Sequence, residues 1–128
     1  GVKKDVSSFV IPVGATINMD GTAIMQGLAT MFIASTAGVD LSMIEYMQIV
    51  LLAMVASIGA AAVPSAGTIT LALILSSLGL PLDAIGLILA VDRILDMIRT
   101  SVNVTGDSAV ACIVANSENL LDREVFNK

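Results

Sequence analysis

The sequence predicts an all-α membrane protein built from three apolar blocks, one of which carries a stripe of polar side chains. Hydrophobic residues make up 56% of the 128 residues, charged residues 13% and aromatic residues 3%. This composition is too apolar for an ordinary soluble domain. The net charge of −5 and the lack of a basic patch argue against nucleic-acid binding. With no histidine and one cysteine, the chain has no histidine-ligated metal, histidine-based triad or internal disulfide.

Two of the apolar blocks are long enough to cross a bilayer. A membrane-spanning helix needs about 20 residues, so the first and third blocks suffice with some tilt or a break. The middle block would form a helix of roughly 50 Å, which is too long for one span and too short for two. The blocks cover residues 9–37, 47–80 and 86–115.

The centre of the middle block is rich in small residues around Pro64, which weakens a helix. We therefore expect a re-entrant hairpin with arms at about 47–55 and 68–78. The alternative is one long, kinked helix. Irregular backbone at membrane depth must be buried in protein or line a cavity, so the hairpin predicts a site at its tip.

A re-entrant middle block places both chain ends on one face of the membrane. The basic residues outside the apolar blocks all lie near these ends, and basic residues favour the cytoplasmic side. We expect a multi-pass protein of the cell membrane with a cytoplasmic C-terminus. These basic residues are Lys3, Lys4, Arg123 and Lys128.

An amide and a carboxylate, Asn18 and Asp20, interrupt the first block beside the weak helix formers Gly14 and Gly21. Unwinding there would turn the backbone carbonyls of Gly14, Thr16 and Asn18 inward, beside the carboxylate. Such oxygen ligands suit a small cation such as Na⁺. The alternative is an N-cap and a packing glycine within an ordinary helix.

The third block carries a stripe of charged and amide side chains. Spacings of four, three, four and four residues place them within roughly 80° of one helical face, at about 100° per residue. Such residues at bilayer depth typically mark a substrate or ion pathway. The alternative is a structural ladder of ion pairs. The stripe consists of Asp92, Asp96, Arg99, Asn103 and Asp107.

Three motifs together resemble the sodium-coupled glutamate and aspartate transporters, the dicarboxylate/amino acid:cation symporter family that includes the excitatory amino acid transporters. The motifs are Asn-Met-Asp-Gly-Thr at 18–22, Val-Pro-Ser-Ala-Gly at 63–67 and Asp-x-x-x-Asp-Met-x-Arg-Thr-x-x-Asn-x-x-Gly-Asp at 92–107. The resemblance covers nearly the whole chain. It implies that residues 1–128 form the C-terminal half of the transport domain of an inverted-repeat transporter: a broken transmembrane helix, a re-entrant hairpin and a substrate-binding transmembrane helix.

The resemblance also implies a binding mode for an acidic amino acid. The Arg99 guanidinium would bind the side-chain carboxylate, Asp96 the amino group and Asn103 the α-carboxylate. Arginine suits this role because its planar guanidinium binds carboxylates with two parallel hydrogen bonds. Further substrate contacts implied by the family are Thr22, Thr100 and the hairpin tip from Val63 to Gly67.

Three sodium sites and no organic cofactor follow from the same resemblance. The first site would use carbonyls of Gly14, Asn18 and Asn103 with the Asp107 carboxylate. The second would lie between Thr16 or Met19 and the hairpin carbonyls of Ser57, Ile58 and Ala60. The third would use Asn18 and Asp20 with residues outside this chain.

The expected function is inward symport of aspartate or glutamate with sodium, not an enzymatic reaction. The expected partners are the lipid bilayer, the remainder of the same polypeptide and further copies in a homotrimer. Within the family, transport of C4-dicarboxylates or neutral amino acids and coupling to protons are alternatives. Arg99 disfavours neutral substrates, and Asp96 favours a substrate with an amino group over a plain dicarboxylate.

An intramembrane aspartyl protease is the alternative outside the transporter class. Val104-Thr105-Gly106-Asp107 lacks the first glycine of the Gly-x-Gly-Asp signature. Arg99 would also hold the nearby carboxylates ionised, against the shared proton that such a pair needs.

Overall fold

The computed structural model describes residues 1–59 and 66–127. In these ranges it is almost entirely helical, with one isolated antiparallel β-bridge, which confirms the predicted all-α class. No helix within them has both the length and the apolarity needed to cross a bilayer. The helices are α1 (Lys4–Ile17), α2 (Asp20–Thr36), α3 (Met43–Gly59), α4 (Ala66–Ser77), α5 (Ile85–Leu89), α6 (Asp92–Ser117) and α7 (Arg123–Phe126), with a 3₁₀ turn at Leu82–Ala84 before α5.

The predicted break in the first apolar block lies between α1 and α2. The backbone leaves the helical region at Asn18 (φ −94°, ψ 76°) and at Met19 (φ −112°, ψ 46°). The Asn18 N–H still donates to the Gly14 carbonyl at 2.8 Å, whereas the N–H groups of Thr22 and Ala23 donate to the Met19 carbonyl, each at 3.0 Å. One helix therefore ends and another begins within two residues, which leaves the side chains between them free to contact α6.

A capping box starts α3. The Ser42 N–H and hydroxyl donate to Glu45 Oε2, each at 2.7 Å, and the Glu45 N–H donates to Ser42 Oγ at 3.4 Å. These bonds stabilise the ionised carboxylate and lower the pKa of Glu45, with the backbone N–H of Ser42 as the largest cause and its hydroxyl as the next. Both residues precede the apolar block 47–80, so the helix begins four residues earlier than that block.

The two arms of the middle block, α3 and α4, pack against each other and against α2. Packing of both arms on one helix fits the expected hairpin rather than one long kinked helix. The predicted tip, which includes Ala60 and Val63, lies outside the described residues.

The buried core lies between α2 and α4. On α2, Met25, Ala29 and Ile33 recur every four residues, and from α4 they meet Leu71 and Leu75. Close packing of these side chains stabilises the contact between the two helices through van der Waals attraction. This apolar seam packs α4 against α2.

The third block contains two helices where a single helix over 86–115 was expected. Helix α5 ends at Leu89, and Val91 adopts φ −116° and ψ 2° before α6 starts. Asp92 then occupies the first turn of α6, where the helix dipole favours a carboxylate. All five residues of the polar stripe lie on α6, which packs against both α1 and α2.

The two ends of the described chain lie side by side. Val2 and Leu121 form the antiparallel bridge, the Lys3 N–H donates to the Leu120 carbonyl at 3.2 Å, and the Asp122 N–H donates to the Gly1 carbonyl at 2.7 Å. The start of α1 and the end of α6 are thus adjacent, as a re-entrant middle block requires.

Candidate functional site

A polar cluster joins the break between α1 and α2 to the middle of α6. Asn18 Nδ2 donates to Asp107 Oδ1 at 2.8 Å. Asn103 Oδ1 accepts from the Gly21 N–H at 2.8 Å, and Asn103 Nδ2 donates to Met19 Sδ at 3.3 Å. The Gly21 N–H belongs to the first turn of α2, where backbone donors have no partner within the helix. Two stripe residues therefore hold both ends of the broken helix.

Gly14 allows the backbone of α1 to approach the Asp107 carboxylate. A Cβ added at Gly14 would overlap Asp107 Oδ1 and lie 2.8 Å from its Cγ. Asp107 is only 7% exposed, and a buried carboxylate requires hydrogen bonds or a cation. The Asn18 amide supplies one bond. The C-terminal carbonyls of α1 add partial negative charge, so this corner of the fold favours a cation.

The remaining predicted sodium ligands lie on neighbouring elements. Thr16 is exposed, and its hydroxyl donates to the Val13 carbonyl at 2.7 Å. Ser57 is buried near the end of α3, and its hydroxyl donates to the Met54 carbonyl at 2.8 Å. Helix α3 packs against α1. Ile58 and Asp20 are exposed.

Arg99 lies one turn before Asn103 on α6, and its side chain is only 13% exposed. Its Nη2 donates to Asp96 Oδ1, and the Asp96 side chain is 43% exposed. Its Nη1 is buried and has no hydrogen-bond partner among the described residues. A buried N–H left without an acceptor is unfavourable, so the guanidinium presents donors to an additional anionic or polar group.

Two glycines allow neighbouring helices to approach Arg99 closely. A Cβ added at Gly67, in the first turn of α4, would overlap Arg99 Nη1 and lie 3.2 Å from Cζ. A Cβ added at Gly21, on α2, would overlap the Arg99 carbonyl and lie 3.0 Å from its Cα. The buried Thr22 follows Gly21, whereas Thr100 is exposed. The structure therefore brings Arg99, Asp96 and Gly67 together; the predicted contact Val63 lies outside the described residues.

Two grooves reach these side chains. A groove of about 390 Å³ between α1 and α6 is lined by Gly14, Asn18 and Asp107 together with apolar side chains. Another, of about 270 Å³, lies between α2 and α6 and reaches Gly21 and Arg99, with an otherwise apolar lining. Asp107 and Arg99 thus each line a concave surface.

Gln26 and Thr70 are not among the residues predicted from the sequence. Gln26 is completely buried on α2, and its Nε2 donates to Thr70 Oγ1 on α4. The available signal was the interval of four between Thr22, Gln26 and Thr30 inside an apolar block, which places three polar side chains on one helical face.

A broken helix, two packed hairpin arms and a polar stripe on a third segment define an all-helical transporter fold. The chain belongs to the sodium:dicarboxylate symporter family, whose family model matches residues 1–117. The family predicted from the three sequence motifs is therefore confirmed. Because a symporter moves solutes across a membrane, membership also makes this a membrane protein.

Several curated relatives are excitatory amino acid transporters. One from Onchocerca volvulus is 54% identical over 114 residues, which cover 89% of this chain and 23% of that transporter. Excitatory amino acid transporter 1 of Rattus norvegicus is 50% identical over 128 residues, 100% of this chain and 23% of the relative. Excitatory amino acid transporter 2 of Homo sapiens is 54% identical over 114 residues, 89% of this chain and 20% of the relative. The chain thus spans 20–23% of the length of these relatives.

Proposed function

We propose that this chain is the C-terminal half of the transport domain of a secondary transporter that carries aspartate or glutamate into the cell together with sodium. The family and the names of the relatives support this proposal. The observation that carries it is the Arg99 guanidinium, whose Nη2 donates to Asp96 and whose Nη1 is buried without an acceptor in the described ranges.

The charges along α6 match those of an acidic amino acid. Arg99 offers a positive, planar donor pair for the side-chain carboxylate of the substrate. Asp96, partly exposed beside it, offers a carboxylate for the substrate ammonium group. Asn103, one turn further along, offers an amide for the α-carboxylate. A neutral side chain would leave the buried Arg99 Nη1 without an acceptor, which is unfavourable. Thr22, Thr100, Val63 and Gly67 complete the proposed contacts.

Sodium is the proposed coupling ion. Asp107 supplies a buried negative charge beside the carbonyls at the end of α1, and Gly14, Asn18 and Asn103 supply further oxygens. Asn103 also holds the Gly21 N–H, and Gly21 packs on the Arg99 backbone. The cation cluster and the guanidinium thus share structural elements, so binding at one site favours binding at the other. The second and third sodium sites are proposed from Thr16, Met19, Ser57, Ile58 and Ala60, and from Asn18 with Asp20.

The rest of the proposal concerns the setting of the chain. Basic residues near the adjacent chain ends support a cytoplasmic C-terminus in a multi-pass protein of the cell membrane. The remainder of the polypeptide would supply the other half of the transport domain and the contacts of a homotrimer. The proposed transport requires no organic cofactor, and the acidic residues bind substrate and sodium rather than catalyse a reaction.

Uptake by the full-length transporter, reconstituted in proteoliposomes, tests this function. We expect labelled aspartate or glutamate to accumulate when an inward sodium gradient is imposed, and to fail to accumulate when choline replaces sodium. Stronger uptake of succinate than of aspartate or glutamate would indicate a dicarboxylate substrate. Stronger uptake of alanine would indicate a neutral amino acid as the substrate. Uptake driven by a proton gradient in the absence of sodium would refute sodium coupling, and no uptake of any of the four would refute the proposal.

A further inference from the structure

Gln26 is a completely buried primary amide in the apolar seam between α2 and α4. Burial of an amide is unfavourable unless its polar atoms are hydrogen-bonded. Gln26 Nε2 donates to Thr70 Oγ1, while Gln26 Oε1 is buried and has no partner among the described residues. The bond to Thr70 is therefore the polar contact within these ranges that compensates for the burial of Gln26.

Thr70 also forms a hydrogen bond with the backbone at the start of α4. Its hydroxyl donates to the Ala66 carbonyl at 2.8 Å and lies 3.1 Å from the Gly67 carbonyl. Gly67 is the residue that packs directly on the Arg99 guanidinium. A continuous series of contacts thus runs from the Gln26 amide through Thr70 to the turn that covers Arg99.

The surrounding seam includes Met25, Ala29, Leu71 and Leu75, whose apolar contacts are non-directional. Such contacts tolerate small sliding of one helix along another, whereas a hydrogen bond has a defined distance and direction. A single amide-to-hydroxyl bond in this seam therefore defines where the first turn of α4 sits relative to α2.

We propose that Gln26 is a positioning residue, which acts through Thr70 to hold the first turn of α4 over Arg99. The proposal rests on the transport function proposed above, because its effect is on substrate held between Arg99 and the hairpin. When the bond is absent, α4 loses its defined position on α2, and the state in which Gly67 covers Arg99 becomes less populated. The apparent affinity for substrate then falls in proportion to that population.

A double-mutant cycle in the full-length transporter tests this role. Gln26→Met keeps the length of the side chain but removes the amide, and Thr70→Val keeps the shape but removes the hydroxyl. We expect each single variant to weaken sodium-dependent aspartate binding by about 2- to 10-fold. The double variant should be no weaker than the more affected single variant, because both substitutions remove the same bond. Thr70→Ser, which retains a hydroxyl, should recover most of the affinity.

Thr30→Val is the matched control. Thr30 is also completely buried on α2, but its hydroxyl donates to the Gln26 carbonyl within the same helix at 2.8 Å. Loss of this hydroxyl removes a buried hydrogen bond that lies within α2, so binding should stay close to that of the parent. Thermal unfolding of every variant identifies loss of folding, and Thr70→Val tests the bond if Gln26→Met does not fold.

The outcomes separate this inference from the proposed function. If the parent binds aspartate with sodium but the effects of Gln26→Met and Thr70→Val simply add, or are both absent, the positioning role is wrong. An equal loss in Thr30→Val would reduce Gln26 to a general contributor to stability. If the parent itself binds no acidic amino acid, the proposed function fails first.

Discussion

Asn18 and Asp107 are 89 residues apart in the chain and are joined by a hydrogen bond of 2.8 Å from Nδ2 to Oδ1. Two glycines allow this approach: Gly14 lies against the carboxylate and Gly106 against the amide. The bond ties the residue that follows α1 to the buried end of the α6 stripe. A cation that binds Asp107 must either displace the Asn18 amide from the carboxylate or bind beside it. Substitutions at this pair are therefore the most direct test of the proposed sodium coupling.

Asp107→Asn keeps the shape of the side chain but removes the charge that would offset desolvation of sodium. Because sodium and substrate sites share α2 and α6, weaker sodium binding must appear as weaker substrate binding. We expect the apparent aspartate affinity to fall by about 5- to 150-fold at low sodium and to recover at high sodium. Binding titrations across sodium concentrations measure this. Asp96→Asn, the comparison, should lose affinity at every sodium concentration, and an unaltered sodium dependence in Asp107→Asn would remove Asp107 from the sodium site.

Gly106→Ala tests the same corner without changing charge. The added Cβ would lie 2.6 Å from Asn18 Nδ2 and would displace the amide from Asp107. We expect reduced sodium affinity at an essentially unchanged substrate affinity in saturating sodium. Gly27→Ala is the control, because, apart from its chain neighbours and the adjacent backbone of α2, no atom of the described residues lies within 4 Å of its added Cβ. Alanine favours a helix over glycine by roughly 0.5–1 kcal/mol in both variants, so a shared loss of sodium affinity would exclude the local contact as its cause.

The sequence predicts the elements whose signal is local. Asn18 and Asp20 beside glycines indicate the break between α1 and α2, and the spacing from Asp92 to Asp107 indicates one polar face on α6. The break before Asp92 was not predicted because Ala90 and Val91 are ordinary apolar residues with no glycine or proline beside them. Helix α3 starts before the apolar block because Ser42 and Glu45 form a capping box. The Ser-x-x-Glu pattern at 42–45 is the sequence signal for that box.

Contacts between residues far apart in the sequence are harder to predict from the sequence. Gln26 and Thr70 are 44 residues apart, and nothing in either apolar block states which polar side chain on one helix meets which on the other. The contact of Gly67 with Arg99 likewise depends on how far α4 slides along α2. Periodicity assigns residues to a face of a helix, whereas the pairing of faces depends on packing in three dimensions.

Arg99→Cys should change which amino acids are bound. Removing the guanidinium removes the partner of the substrate side-chain carboxylate, and truncating one member of a buried charged pair costs about 2–5 kcal/mol. The preference for aspartate over serine or alanine should therefore shift by about one to several orders of magnitude. Competition of each amino acid with labelled aspartate in the parent, and with labelled serine in the variant, measures the shift. An unchanged order of preference would make Arg99 a structural residue.

Thiol labelling tests the proposed membrane topology. In a Cys112→Ser background of the full-length transporter, single cysteines at Asp40 and Asp83 mark the two loops that flank the hairpin, and one at Asn127 marks the C-terminal end. We expect an impermeant reagent applied outside intact cells to label the first two positions and to label the third only after permeabilisation. Labelling of the two loops from opposite sides would contradict the re-entrant hairpin.

Gly67→Ala tests whether the first turn of α4 must lie directly on the guanidinium. The added Cβ would overlap Arg99 Nη1 and lie 3.2 Å from Cζ, so either the turn or the guanidinium must move. Movement of the turn uncovers the substrate, and movement of the guanidinium separates it from Asp96. Both consequences weaken aspartate binding while leaving the Asp107 cluster in place. We therefore expect a faster dissociation of bound aspartate at saturating sodium, with sodium binding in the absence of substrate retained.

Gly27→Ala serves again as the control for glycine replacement on a helix. Equal dissociation rates in the parent and in Gly67→Ala would show that substrate is held without this contact, and the hairpin would then lose its proposed role in covering Arg99.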